Sequence, residues 1–339
     1  MPFLDPALKR RLIDNYKENK DTALVGELSR ILIGNPEPPD SATVRDLDLL
    51  TQNVANSTFL GGYIPGVLET AYDYCVEALK KTGPSSELYG SFHNRARIFS
   101  RRMAEFSDSL DEKTRYLETA LSHSDVACVF YENRDKPLFG KALSSRGEIR
   151  DAMAQVARDE ARVNDEIELR IQSAKDKSDG AAAVEDIQGI HACSRYALAA
   201  YQEFEAALLS IEFKVDLLMN AIEHAKKSEA LCDFDDEQLT STRLNLGKYY
   251  KTLYDVTQNL EFLDEAGHYY KLAASYCALF SDVEHNKMST AANSCIREIE
   301  MEKRAHKKNI EFPKKKTKKK KPRRESERRI IEQELDDLS

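Results

Sequence analysis

The chain has 339 residues, 41% apolar and 32% charged, with no Trp and only 13 Gly and 10 Pro. That composition excludes collagen-like, mucin-like and Gly/Pro-rich disordered chains, and it supplies enough apolar material for two or three globular units or one elongated array. The formal net charge of −8 is unevenly spread: residues 1–302 hold 35 basic and 51 acidic side chains, whereas 303–329 hold 15 basic and three acidic ones. No stretch approaches the roughly 18 apolar residues of a membrane span. The start, Met1, Pro2, Phe3, Leu4 and Asp5, lacks a basic segment followed by an apolar one, so no secretory signal is expected. A soluble intracellular chain follows as the expectation, cytoplasmic or, in a nucleated cell, nuclear. Six cysteines (Cys75, Cys128, Cys193, Cys232, Cys277 and Cys295) show no C-x-x-C pair and no zinc-finger spacing. Most of them read as small apolar helix residues.

In chain order, 1–33 predicts two short helices, the first opened by Asp5 and Pro6 and the second capped by Asp21 ahead of Ala23. The Pro-rich stretch 35–40 is a stiff linker, so 1–40 forms an N-terminal helical hairpin with its connection. A body over 41–308 begins where Ser41 caps a helix whose Val44, Leu47, Leu49, Leu50 and Val54 make one apolar stripe. Gly61 and Gly62 break it, and helical patterns follow at 66–81, 85–107, 111–132 and 144–178. Their separators are Thr82, Gly83 and Pro84; Ser107, Asp108 and Ser109; and Lys136 and Pro137. Between Pro137 and Pro313 no proline interrupts a helix. Alternating strand patterns are missing, so no sheet is expected.

The segment 147–178 is long and charged. Ile149, Met153, Val156, Val163 and Ile167 fall at coiled-coil-like spacings, interrupted by Glu160 and Arg170. With a turn at Asp179 and Gly180, a second arm carries Val184, Ile187, His191, Leu198, Tyr201, Phe204, Leu208 and Ile211. A long hairpin over about 144–210 is expected, with arms of roughly 30 residues and about 45 Å.

Self-similarity runs through this helical chain. Lys113, Leu117, Ala120, Leu121 and His123 align without gaps on Lys214, Leu218, Ala221, Ile222 and His224; Cys75, Ala78 and Leu79, and Tyr270, Ala273 and Ala274, follow the same outline. Upstream, Asn94, Arg95, Ala96 and Phe99 match Asn245, Leu246, Gly247 and Tyr250. Leu246, Gly247 and Tyr250 followed by Ala266, Tyr270 and Ala273 resemble the tetratricopeptide repeat, in which a Leu-Gly-x-x-Tyr helix pairs with an Ala-x-x-x-Phe-x-x-Ala helix. The units are longer than the family's, their spacing is uneven, and the closing proline is missing. The resemblance implies an all-α fold in which antiparallel helix pairs stack as an α–α superhelix, or solenoid.

It also implies a concave groove that holds an extended peptide. Carried over by position, the groove residues are His93, Asn94, Arg97 and Arg101 in the first unit and Asn245, Lys248 and Lys251 in the second. Asn94, Arg97 and Arg101 share one helix face, as do Asn245, Lys248 and Thr252. The Asn side chains suit a peptide backbone and the cations suit carboxylates; a plain solvated face is the alternative.

Catalytic patterns are scarce. There is no phosphate-binding glycine loop and no H-E-x-x-H. Glu265 and His268 have the spacing of a helical di-iron ligand pair, but no second copy accompanies them. No enzyme activity, metal or cofactor is expected.

The last segment, 309–339, has the sharpest composition change. Lys314, Lys315, Lys316, Lys318, Lys319, Lys320, Lys321, Arg323 and Arg324 form a run without an acidic or a large apolar residue, expected to be disordered when free. It resembles a basic nuclear import signal, and it also suits nucleic-acid phosphates or an acidic protein or membrane surface. Ile330, Ile331, Leu335 and Leu338 then mark a short amphipathic segment. The expected function is a non-enzymatic scaffold that binds protein or peptide partners in a helical groove, its tail tethering an anionic partner. The alternative is an RNA-, ribosome- or DNA-associated protein whose tail supplies non-specific affinity.

Overall fold

A computed structural model describes residues 3–18, 23–58, 65–232, 237–280 and 282–311. The Asp21 cap, the Gly61 and Gly62 break and everything expected of 312–339, including its disorder and its amphipathic end, lie outside these residues. Among the described residues there are thirteen helices and no strand: α1 (Pro6–Glu18), α2 (Ala23–Gly34), α3 (Val44–Thr58), α4 (Pro65–Lys81), α5 (Glu87–Phe106), α6 (Leu110–Tyr131), α7 (Lys136–Asp159), α8 (Val163–Ala182), α9 (Gly189–Leu209), α10 (Lys214–Leu231), α11 (Glu237–Thr257), α12 (Leu260–Cys277) and α13 (Val283–Glu311). From α3 onward every helix packs on the one before it, and α1–α3, α2–α4, α3–α5 and α9–α11 touch across one intervening element. This is a stack of consecutive helix pairs.

Local chemistry sets most boundaries. Ser86 accepts from the Leu88 N–H, Ser109 from Glu112, Asp135 from Leu138 and Asn259 from Glu261, each starting a helix as a side-chain cap. Pro137 sits in the first turn of α7, where its missing N–H costs nothing. At α3 the cap is Thr43 and not Ser41: Thr43 Oγ1 accepts from the Asp46 N–H while Asp46 accepts from the Thr43 N–H at 3.2 Å, a reciprocal capping box. The last helix runs through Glu311, beyond the boundary at 308 that composition marks.

The long arm over 147–178 is two helices. Alpha-7 ends at Asp159, and the chain reverses at Ala161, whose φ is 57°. The Arg162 N–H reaches the Ala157 carbonyl at 2.8 Å and the Ala161 N–H the Arg158 carbonyl at 3.0 Å, a Schellman turn built on alanine. A turn without Gly or Pro leaves no mark in the sequence, which is why the apolar spacing reads as continuous.

The interface between α7 and α8 is polar. Arg146 and Arg150 both bind Asp176, which is 1% exposed; Lys177 pairs with Asp151; and Arg158 and Arg170 share Glu166, with Arg170 also donating to Gln202 at 2.7 Å. The buried carboxylates are paired, as desolvation demands. This network gives the interrupting Arg170 its place.

On α9 the expected stripe is only partly inward. Phe204 is buried, but Leu198, Tyr201 and Leu208 are exposed and Ile187 precedes the helix. The buried face is instead Ala192, Cys193, Tyr196, Ala199, Ala200, Ala206 and Ala207. Small side chains let α8 and α10 approach closely, so the inner face is the one with less apolar bulk.

Two large cores bracket this middle section. One joins Leu4, Leu12, Leu24, Leu28 and Leu32 to Leu47, Tyr74, Phe92 and Phe99, so α1 and α2 share a core with α3–α5. The other joins Phe204, Leu218, Leu246, Tyr250, Leu263 and Tyr270. Cys193 and Cys232 form a disulfide between the start of α9 and the end of α10, with Cα atoms 5.8 Å apart, a pairing that the reading of most of the six as apolar helix residues does not anticipate. Thirty-nine positions separate the two and no motif marks them as partners.

Candidate functional site

Helices α3, α5 and α7 enclose a cavity of about 420 Å³ lined by Gln52 and Asn56 from α3, Asn94, Arg95, Arg97, Arg101 and Arg102 from α5, and Lys141, Ser145 and Glu148 from α7. Spacing of three and four on α5 puts Asn94, Arg97 and Arg101 in the same opening. Three of the expected groove residues therefore converge on one pocket.

Arg95 and Arg97 are both buried, at 2% and 5% exposure, yet they are satisfied in opposite ways. Arg95 Nη2 binds Asp48 Oδ1 at 2.6 Å, Nη1 binds Thr51 Oγ1 at 2.9 Å and Nε binds Gln52 Oε1 at 2.9 Å. It clamps α5 to α3. Arg97 donates from Nε and Nη2 to Asn94 Oδ1 alone, at 3.2 and 2.9 Å, and no carboxylate among the described residues lies within ion-pair distance of it. Burial pushes its guanidinium down to about 10, Arg101 adding to the effect and Glu148 opposing it. It remains a cation at neutral pH.

Arg101 pairs with Glu148 across the α5–α7 gap and with Glu105 on its own helix at 3.6 Å. Lys141 is exposed at the mouth and, among the described residues, has no carboxylate partner. The pocket therefore holds two cations, Arg97 and Lys141, that no acidic side chain among the described residues pairs with. Because Asn94 Oδ1 is taken by Arg97, its Nδ2 is left as a donor at the rim.

No family profile matches this chain, and no curated protein matches it.

His93, expected in the same groove, does not line the pocket. Its Nδ1 faces His123 Nδ1 at 2.8 Å, Tyr89 packs edge-on against it, and Tyr72 Oη is 3.2 Å from His123 Nε2. Burial, with His123 adjacent, holds His93 down at about 4, and burial lowers His123 as well. His224, the counterpart of His123 in the repeat alignment, likewise reaches the preceding helix, where its Nδ1 meets Glu203 Oε2 at 2.7 Å.

The second set lies on α11, away from this pocket. Asn245 is half-buried, Lys248 Nζ sits 4.4 Å over the Phe204 ring, and Lys251 binds Asp255 at 2.6 Å and Glu302 at 3.1 Å. Lys314, Lys315, Lys316, Lys318, Lys319, Lys320, Lys321, Arg323 and Arg324 lie outside the described residues. Sequence reasoning did not find Gln52, Asn56, Lys141, Ser145 or Glu148, because nothing local in α3 or α7 announces that both helices flank α5. Among the described residues no three His, Cys, Asp or Glu side chains converge as a metal site would require, and no helix is long and apolar enough to cross a membrane.

Proposed function

We propose that this chain is a non-enzymatic adaptor that holds an acidic peptide in the α3–α5–α7 pocket while its lysine-rich tail tethers an anionic partner. The observation that carries the reading is Arg97, a desolvated guanidinium facing a cavity with only an amide oxygen as partner. An uncompensated buried charge is unfavourable, and an entering carboxylate relieves it. Lys141 and Arg101 extend the positive field toward the mouth, and the Asn94 amide donor suits a peptide carbonyl.

The kinship with tetratricopeptide repeats belongs to the same reading. Gly247 lies against the ring of Tyr270, where a Cβ would come within 2.8 Å, so the Leu-Gly-x-x-Tyr helix and its Ala-rich partner touch at the small residue. Titrating a fluorescent Asp/Glu-rich peptide against the full chain, its Asn94→Ala and Arg97→Ala forms, and a form lacking 312–339 tests the assignment. Weakening of about tenfold or more on the pocket substitutions supports it. Capture that depends only on the tail would favour the alternative, a nucleic-acid-associated protein, for which the net charge of the basic tail is the supporting observation.

A further inference from the structure

Resting on the acidic-peptide reading, we propose that the anion this pocket is built for is the phosphate of a phosphorylated peptide side chain, bound between Arg97 and Lys141 with Arg101 beside them. Arg95 is consumed by Asp48, and Arg101 is shared with Glu148 and Glu105, so Arg97 and Lys141 are the cations that no acidic side chain among the described residues balances. A carboxylate brings one negative charge, whereas a phosphate monoester brings between one and a half and two at neutral pH. The dianion matches the surplus.

Donor geometry points the same way. Arg97 spends one Nε and one Nη2 hydrogen on Asn94 Oδ1, leaving three of its five N–H groups without a protein acceptor. Lys141 and Ser145 face the cavity one helical turn apart on α7. A tetrahedral group with three acceptor oxygens can engage α5 and α7 together; a planar carboxylate has two. The contrast with Arg95 argues against a purely structural reading, since the same helix, two residues earlier, shows a buried arginine closed off by Asp48, Thr51 and Gln52.

A peptide fits better than a nucleic acid or a nucleotide. Among the described residues no aromatic side chain lines the cavity to stack a base. A long polyanion would have to lie along a body with 51 acidic and 35 basic residues, whereas a single phosphate on a flexible chain enters alone. The volume of about 420 Å³ accommodates the phosphate and its flanking residues.

The test uses the full-length protein and three immobilised degenerate peptide pools identical except for one central residue: phosphoserine, Glu or Ser. Retention is measured at physiological salt with heparin present, so that the tail is occupied. The phosphoserine pool should bind about tenfold or more tightly than the Glu pool, inorganic phosphate should compete, and Arg97→Ala and Lys141→Ala should each weaken retention about tenfold. Lys141 is exposed, so its variant keeps the test informative even where Arg97→Ala fails to fold. Equal retention of the phosphoserine and Glu pools would overturn the phosphate assignment and leave the acidic-peptide reading standing. Retention of no pool would overturn both, and retention unchanged by either substitution would remove the pocket from the mechanism.

Discussion

Gly140 on α7 and Gly180 on α8 cross with nothing between their backbones: a Cβ on Gly140 would stand 2.9 Å from the Gly180 carbonyl oxygen, and one on Gly180 would stand 2.8 Å from the Gly140 carbonyl oxygen. Backbone cannot rotate away as a side chain can. Alanine at either position gains about 1 kcal/mol of helix propensity and loses about 1–3 kcal/mol to overpacking. A net loss of stability is therefore expected for Gly180→Ala, seen as a lower urea midpoint with an unchanged slope. The Lys141, Ser145 and Glu148 edge of the pocket is carried on the same helix as Gly140, so anion binding should weaken with it.

Ala161 gives the opposite sign. Its φ of 57° belongs to the region where a Cβ is penalised by about 1–2 kcal/mol, and the residue lies outside both helices that it joins. Ala161→Gly should raise stability by up to about 1 kcal/mol, the strain relieved being partly offset by the greater freedom of glycine in the unfolded chain. Thermal unfolding of the single variant checks this, and an unchanged or lower midpoint would contradict it.

These two sites show what the sequence makes legible. Helix starts after Ser86 and Ser109 can be read because a capping side chain is a local, chemically specific signal, whereas the start of α7 at Asp135 is missed: Lys136 and Pro137, expected as a separator before a helix from 144, form its first turn. The reversal at Ala161 cannot be read, since its hydrogen bonds are made by backbone groups that every residue carries. Apolar periodicity identified Phe204 as inward but also pointed to Leu198, Tyr201 and Leu208, because it weights bulk and the α9 interface is built from alanine. For the pocket, spacing on one helix brought Asn94, Arg97 and Arg101 together; Lys141 and Glu148 required knowing that α7 passes the same opening.

The His93 and His123 pair should make the α5–α6 region acid-sensitive. An unfolded histidine titrates near 6.5, while His93 is held at about 4 and His123 is also lowered. Between those limits the unfolded chain binds more protons than the folded one. Stability is therefore complete above about pH 6.5 and declines as pH falls toward 4, by an amount on the order of 3 kcal/mol from His93, to which His123 adds. Denaturation midpoints across that window should slope upward with pH in the natural chain. The slope should flatten in the His93→Gln, His123→Gln double variant.

Arg95 and Arg97 should separate stability from binding. Asp48→Ala strands Arg95 in a site where both partners are buried, and breaking such a pair costs about 3–5 kcal/mol. Arg97→Met does the reverse, since it removes a buried charge that has no carboxylate to lose and puts a flexible apolar chain of similar length in its place. Its expected effect on stability is neutral or favourable by about 1 kcal/mol, whereas anion capture should be lost. Side-by-side urea denaturation and peptide binding on the two variants measure this directly. An Arg97→Met protein that unfolds as readily as Asp48→Ala would show that Arg97 holds the helices together, and the pocket would then be a gap beside a structural arginine.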